Sequence, residues 1–332
     1  MKTKKVGIRK TTPAILPAAV TVASLACLTA EAQIDPTLLS TAVTKSKERI
    51  ESIAILGGDY GVTGGDYQNN DNQPNKVTMS ISKFGGAGDV GDVRPIGDTM
   101  IGWQPRLQGS MGTLTVDNEF HGSSPLAGDE SDTDTFAIEF GGGARVWFGE
   151  HLSLAPTIMG MYAYTKNQYS YRSGAFDEAA AKQQGAIDWN VNTWTLAPAL
   201  NLQYVYTFKR TIFTVSSTYS YYHTESFASS SDLMNIKGDS QTWANKLDVD
   251  VPLGKMLWGH ELRTGGYISR TEYYGNIRSG FGQDHMYDLH GRIVLDFLNQ
   301  LWKVQWIGIG YSYLWGPNVT GTTFGADIAF RF

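Results

Sequence analysis

The chain has 332 residues, 27 basic against 32 acidic, for a formal net charge of −5. That balance excludes the basic footprint of a nucleic-acid binder, and a single cysteine excludes an internal disulfide. Mean hydropathy is mildly polar, yet the first thirty residues are built for export.

Lys2, Lys4, Lys5, Arg9 and Lys10 precede an apolar run from Ala14 to Leu28, and Ala30-Glu31-Ala32 has the small-x-small form of a cleavage site. Residues 1–32 therefore read as a signal peptide, with the mature chain starting at Gln33. Pro17 interrupts the run, which is short for a membrane span. A lipoprotein signal acylated at Cys27 is the rival reading, but Ser24 stands where such signals favour Leu. Cleavage after Ala32 discards Cys27, and with it thiolate chemistry. It also leaves 22 basic and 31 acidic residues, a net of −9. No later stretch reaches eighteen apolar residues, so no transmembrane helix is predicted. A β-barrel reconciles export with polar composition, because only alternate residues face lipid. The 37 glycines, and 26 Tyr plus Trp, suit close strand packing and interfacial girdles.

The segment 33–51 is predicted to be an amphipathic helix. Asp35 serves as N-cap and Pro36 as first helical residue. Leu38, Leu39, Ala42, Val43 and Ile50 form its apolar stripe, and Lys45, Lys47, Glu48, Arg49 and Glu51 take much of the rest.

The remainder, 52–332, is predicted to be all-β, a transmembrane antiparallel up-and-down barrel. Twelve strands are expected near 52–60, 76–84, 99–116, 133–148, 151–166, 189–206, 210–223, 241–252, 257–274, 283–297, 302–315 and 320–332. A ten-strand version drops the first two. Tight turns fall at Gly149-Glu150, Thr207-Phe208-Lys209, Pro252-Leu253-Gly254-Lys255 and Leu298-Asn299-Gln300. Longer polar connections fall at 61–75, 117–132, 167–188, 224–240 and 275–282. Such alternation is that of periplasmic turns and external loops. The long connection 85–98 and the short one at 316–319 break the rule.

Alternation along the strands assigns faces. In the tenth strand Tyr287, Leu289, Ile293, Leu295 and Phe297 oppose Asp288, His290, Arg292 and Asp296. In the eighth, Leu247, Val249 and Val251 oppose Lys246, Asp248 and Asp250. The lumen-facing set read in this way is Arg106, Glu139, Arg145, Lys246, Asp248, Asp250, Glu261, Arg263, Asp288, His290, Arg292, Asp296, Asp327 and Arg331. With His290 neutral these are seven acids and six bases, a mixture that favours an internal network over strong ion selectivity. In the last strand Phe324, Ala326, Ile328, Phe330 and Phe332 share one face. That end resembles the terminal signature of bacterial outer-membrane barrels, which the barrel assembly machinery reads. The partners expected are that machinery, through Phe332, and outer-membrane lipid and lipopolysaccharide around the wall. No cofactor, metal or nucleic acid is expected.

An export signal, a short helix, twelve strands and a Phe-terminated last strand together resemble the translocator barrel of autotransporters. Only some twenty residues separate Gln33 from the first expected strand, so the resemblance is to the solitary, passenger-less type. It implies a non-enzymatic barrel in the Gram-negative outer membrane, with a narrow or plugged pore. Twelve strands give a backbone diameter of roughly 24 Å and a bore of roughly 12–14 Å, which a helix about 10–12 Å across would nearly fill. A passive porin for small solutes, with the helix outside the bore, is the first alternative. The second is a rim protease: Asp288-Leu289-His290, with Asp132 and Asp134, resembles the Asp-His and Asp-Asp pairs of omptins. Asp129, Glu130, Asp132 and Asp134 also form an acidic stretch that could attract Ca²⁺, although an ordinary solvated loop accounts for it.

Overall fold

A chain that crosses lipid by strands must pair every backbone N–H and C=O with a neighbouring strand, and a closed ring is the arrangement that does so. The computed structural model has that form. It describes residues 47, 61–69, 75–121, 126–174, 178–301 and 304–330. The strands are β1 Gly61–Asn69, β2 Asn75–Asp89, β3 Arg94–Pro95, β4 Ile101–Phe120, β5 Glu130–Phe148, β6 Leu152–Ser170, β7 Asn190–Phe208, β8 Thr211–Ser229, β9 Lys237–Leu257, β10 His260–Gly275, β11 His285–Leu301, β12 Val304–Trp315 and β13 Val319–Phe330. Twelve form the barrel. Each pairs antiparallel with its neighbour, β2 pairs with β4, and β1 closes the ring on β13 from Val62↔Ala326 to Asn69↔Val319. The two-residue β3 rides on β4.

The first strand differs from expectation. It lies at 61–69, within a stretch read as a connection, while 52–60 lies outside the described residues. Gly61-Val62-Thr63-Gly64-Gly65 has no apolar alternation to reveal it. Its smallness is instead dictated by the neighbours: a Cβ on Gly65 would collide with Thr322 and Thr323 of β13. The 85–98 connection also resolves. β2 runs on to Asp89, Val90 N–H donates to Pro105 (2.7 Å), and Arg94 and Pro95 pair with Trp103 and Gly102. The stretch is one arm of a hairpin with β4, bulged around Gly91, where φ is +75°.

Two turns are also displaced. β9 continues through Pro252-Leu253-Gly254-Lys255 as a bulge, its register shifting against Leu262 and Arg263, and turns at Trp258-Gly259. β11 continues to Leu301, through the turn expected at 298–300. The predicted helix, apart from Lys47, lies outside the described residues, as do Arg331 and Phe332.

One end of the barrel carries the tight turns and the other the long connections; these are the inner and outer ends. Leu200, Leu202, Tyr204 and Tyr206 on β7, like Phe136, Ile138 and Phe140 on β5, stand exposed on the outside of the wall. Connections at the outer end fold into two short helices, α1 Glu178–Gln183 and α2 Asn276–Phe281, and a 3₁₀ turn at Asp232–Met234. In α1, hydrogen bonds from Lys182 to Glu178 and Asp188 hold its ammonium above the usual lysine range.

Asp129 is wholly buried there. Its carboxylate accepts from Tyr169 Oη (2.9 Å), the N–H groups of Arg172 and Ser173 (2.6 Å each) and Ser173 Oγ (2.8 Å). It thereby staples the β4–β5 connection to the end of β6. Asp132 and Asp134 instead share the outward face of β5 with Phe136, and Asp134 accepts from Thr115 (2.7 Å). The acidic stretch is therefore divided, and among the described residues no group of three or more His, Cys, Asp or Glu is arranged to hold a metal. Asp129→Ala leaves four donors without their acceptor and should lower the unfolding free energy in detergent by about 3 kcal/mol. Urea titration with limited proteolysis of 171–174 checks this; an unchanged midpoint and unchanged digestion would contradict the staple.

Candidate functional site

The lumen holds a cavity of about 1050 Å³. It runs from Trp147, Gln203 and Trp306 near the inner end to Tyr273 and Leu314 near the outer end. Its wall is uneven. β6, β7 and β8 contribute small or neutral groups such as Thr157, Asn201, Ser216 and Thr218, and the charges sit on the remaining strands.

One charged face is built on β2, β4 and β5. Asp89 receives Arg106 Nη1 at 2.8 Å and Arg145 Nε at 3.0 Å. Arg145 also donates to Ser153 (3.2 Å) and Gln203, and lies 5.5 Å from the centre of the Trp147 ring. Glu139 accepts from Ser110 (2.9 Å). The second face spans β9 to β13. Arg292 grips Asp248 through both terminal nitrogens (2.7 and 2.8 Å), the bidentate geometry a guanidinium favours. Tyr267 Oη donates to Asp288 (2.8 Å), its ring stacks on His290 with centroids 4.7 Å apart, and Lys246 Nζ sits 3.7 Å above that same Tyr267 ring.

His290 ties three strands together: Nδ1 meets Ser312 Oγ on β12 at 2.8 Å, and Nε2 meets Asp327 on β13 at 3.2 Å. Gly310 makes this possible, because a Cβ there would collide with both Asp327 and His290.

Nine of the fourteen residues expected in the lumen line the cavity: Arg106, Glu139, Arg145, Lys246, Asp248, Asp288, His290, Arg292 and Asp327. Four others gather toward the inner end, outside the cavity lining. Arg263 contacts Asp250 (3.1 Å), Glu261 (3.5 Å) and Asp296 (3.9 Å), and Glu261 is also gripped by Arg210. Arg331 lies outside the described residues. Sequence reading missed Lys83, Asp89 and Asp92. Lys83 shares its inward face with Met79 and Ile81, so alternation in β2 looks reversed, and Asp89 falls in the stretch taken for a connection. Alternation did carry a signal for Tyr267, which stands on the same face of its strand as Glu261 and Arg263.

The protease constellation does not assemble. Tyr267 holds the Asp288 carboxylate, His290 bonds Ser312 and Asp327, and Asp132 and Asp134 face away on the outer wall. With the cavity lined by Lys83, Arg106, Arg145, Lys246 and Arg292 against Asp89, Asp92, Glu139, Asp248, Asp288 and Asp327, charge is nearly compensated. The lumen suits mutual pairing better than selective ion binding.

The Asp89 pairings tie β2 to β4 and β5 across the inside of the wall. Arg145→Ala should destabilise the barrel by about 2 kcal/mol, because the partly buried Asp89 carboxylate loses one of its two guanidinium partners. Adding Asp89→Ala should recover part of that loss. A double-mutant cycle in reversible detergent unfolding checks this, and additive losses would show that the pair is not coupled.

Residues 96–324 match the family described as solitary outer membrane autotransporter beta-barrel domain. Among solved structures, the chain is similar to the beta domain of the Bordetella autotransporter BrkA, with 12% identity, 81% of this chain and 99% of that one covered, and a TM-score of 0.48. It is also similar to the translocator domain of NalP from Neisseria meningitidis, with 13% identity, coverage of 86% and 94%, and a TM-score of 0.44. No curated protein matches.

Proposed function

The chain belongs to the solitary outer membrane autotransporter β-barrel family, and from that premise we propose that it is a translocator-type barrel without a passenger of its own, its bore narrowed by paired charges and filled by the segment 33–51. Barrels of this family reside in the Gram-negative outer membrane. Export by a signal cleaved after Ala32, contact with lipid and lipopolysaccharide around the wall, and delivery to the assembly machinery through the last strand belong to the same proposal.

The observation that carries it is the charge-compensated lining of the cavity, in which Arg292 holds Asp248 and Arg106 and Arg145 hold Asp89. A free-diffusion porin gains by leaving lumenal charges to water and solute, whereas side chains bonded to each other present a quiet wall to a resident segment. Lys47, the described residue of that segment, is helical and half-buried, which supports its lying against protein. The neutral wall of β6–β8 offers such a segment hydroxyls and amides without a competing charge.

The test places one cysteine at Lys47 and a second on the barrel, in a protein beginning at Gln33 and so lacking Cys27. A short bifunctional maleimide should join Lys47→Cys to at least one of Thr157→Cys, Ser216→Cys and Ser220→Cys, all on the lumen, and not to Val215→Cys on the outside. No cross-link to any lumenal position would place the segment outside the bore and favour the porin reading.

A further inference from the structure

Lumen-facing side chains mix charged, polar, small and apolar groups around the cavity but become apolar toward the outer end. Phe120 on β4, Val191 on β7, Tyr273 on β10, Met286 on β11 and Val319 on β13 are all nearly inaccessible. Side chains facing an open aqueous mouth would be wet, so something covers them. Val191 lies under Met234 of the β8–β9 connection, and Tyr273, Met286 and Val319 lie under Ile277 of α2, each cover being 1% exposed. Ile277 forms one buried cluster with Tyr273, Met286 and Val319, and Met79 of β2, Tyr222 of β8 and Leu314 of β12 pack against that cluster. This layer takes in strands from β8 round through β13 to β2, well over half the circumference.

The backbone is shaped for that position. Gly275 turns the chain out of β10 at φ +72°, a left-handed conformation, with Asp239 O so close that a Cβ would collide with it. Gly282 releases the chain in the αL conformation. Ile277 N–H donates to Ser240 Oγ on β9 (3.0 Å). The far side is clamped to the short β12–β13 connection: Asn318 N–H donates to Gln283 Oε1 (3.1 Å), and Asn318 Nδ2 donates to the Gly282 carbonyl (3.2 Å). Gln283 is 3% exposed. A side chain at position 316 would have no place beside it, since a Cβ there would meet Gln283 Oε1 at 2.9 Å and the His285 carbonyl at 3.0 Å.

We propose that Gly275–Asp284 is a lid that shuts the lumen at its outer end independently of the segment 33–51. The barrel then carries two closures in series, and opening it requires Ile277 to leave its apolar seat. The second closure rests on the function proposed above; the lid does not.

The test is conductance in planar bilayers of four refolded proteins: the chain from Gln33, the chain without 33–51, the chain with Ile277→Asp, and the combination. A second lid variant replaces 276–281 by two glycines, and heat-modifiable migration on gels confirms that each barrel is folded. The expected result is silence from the first three, with the combination conducting at least tenfold above them. If the protein without 33–51 conducts as well as the combination, the lid is overturned and the plug stands. If Ile277→Asp alone conducts fully, the lid stands and the plug fails. If the folded combination and the folded glycine variant without 33–51 are both silent, the lid is overturned.

Discussion

The constraint on which the rest depends is that no strand edge can face lipid. Here it is met at the junction of β1 and β13, whose register runs from Val62↔Ala326 to Asn69↔Val319. Apart from Tyr67, β1 offers mainly backbone: Gly61, Gly64 and Gly65 give it no continuous apolar face, and collision with Thr322 and Thr323 keeps Gly65 bare. Closure is thus made largely by hydrogen bonds, with the buried Tyr67 ring packed against Gly321 of β13.

Within that ring, polarity is divided by depth. The inner and middle lumen hold paired charges, because arginine and carboxylate side chains on strands one or two apart meet at hydrogen-bonding distance and compensate each other. The outer lumen is a small apolar core, where Ile277, Met286 and Val319 are packed under folded connections. Asp129 and Gln283, both buried, hold those connections down through hydrogen bonds to backbone N–H groups. Barrel and cover are therefore different kinds of object. The wall is fixed by its ladder, and the cover by a few side chains that could be removed singly.

Much of the wall was legible because lipid on one side and water on the other impose alternation: Leu247, Val249 and Val251 against Lys246, Asp248 and Asp250 could be assigned without coordinates. What was not legible obeyed other rules. β1 is defined by its neighbours and not by its own pattern. The β2–β3 segment is the bulged arm of a hairpin with β4, and its glycines resemble a loop. The outer apolar layer reverses the expected inside-polar pattern, because Phe120, Val191 and Met286 face a lumen that the connections have dried. The Asp288-x-His290 spacing suggested a catalytic pair, but spacing fixes only a shared face; Tyr267 and Ser312, from other strands, decide where those side chains bond.

The most direct measurement is disulfide formation between β1 and β13. Cysteines replacing Asp66 and Thr322, which are register partners, should oxidise to one cross-linked species in the folded barrel. The pair two residues out of register, at Asp66 and Thr320, should not. Cross-linking of the shifted pair, or of neither, would contradict a barrel closed by β1 in this register and the lumen built upon it.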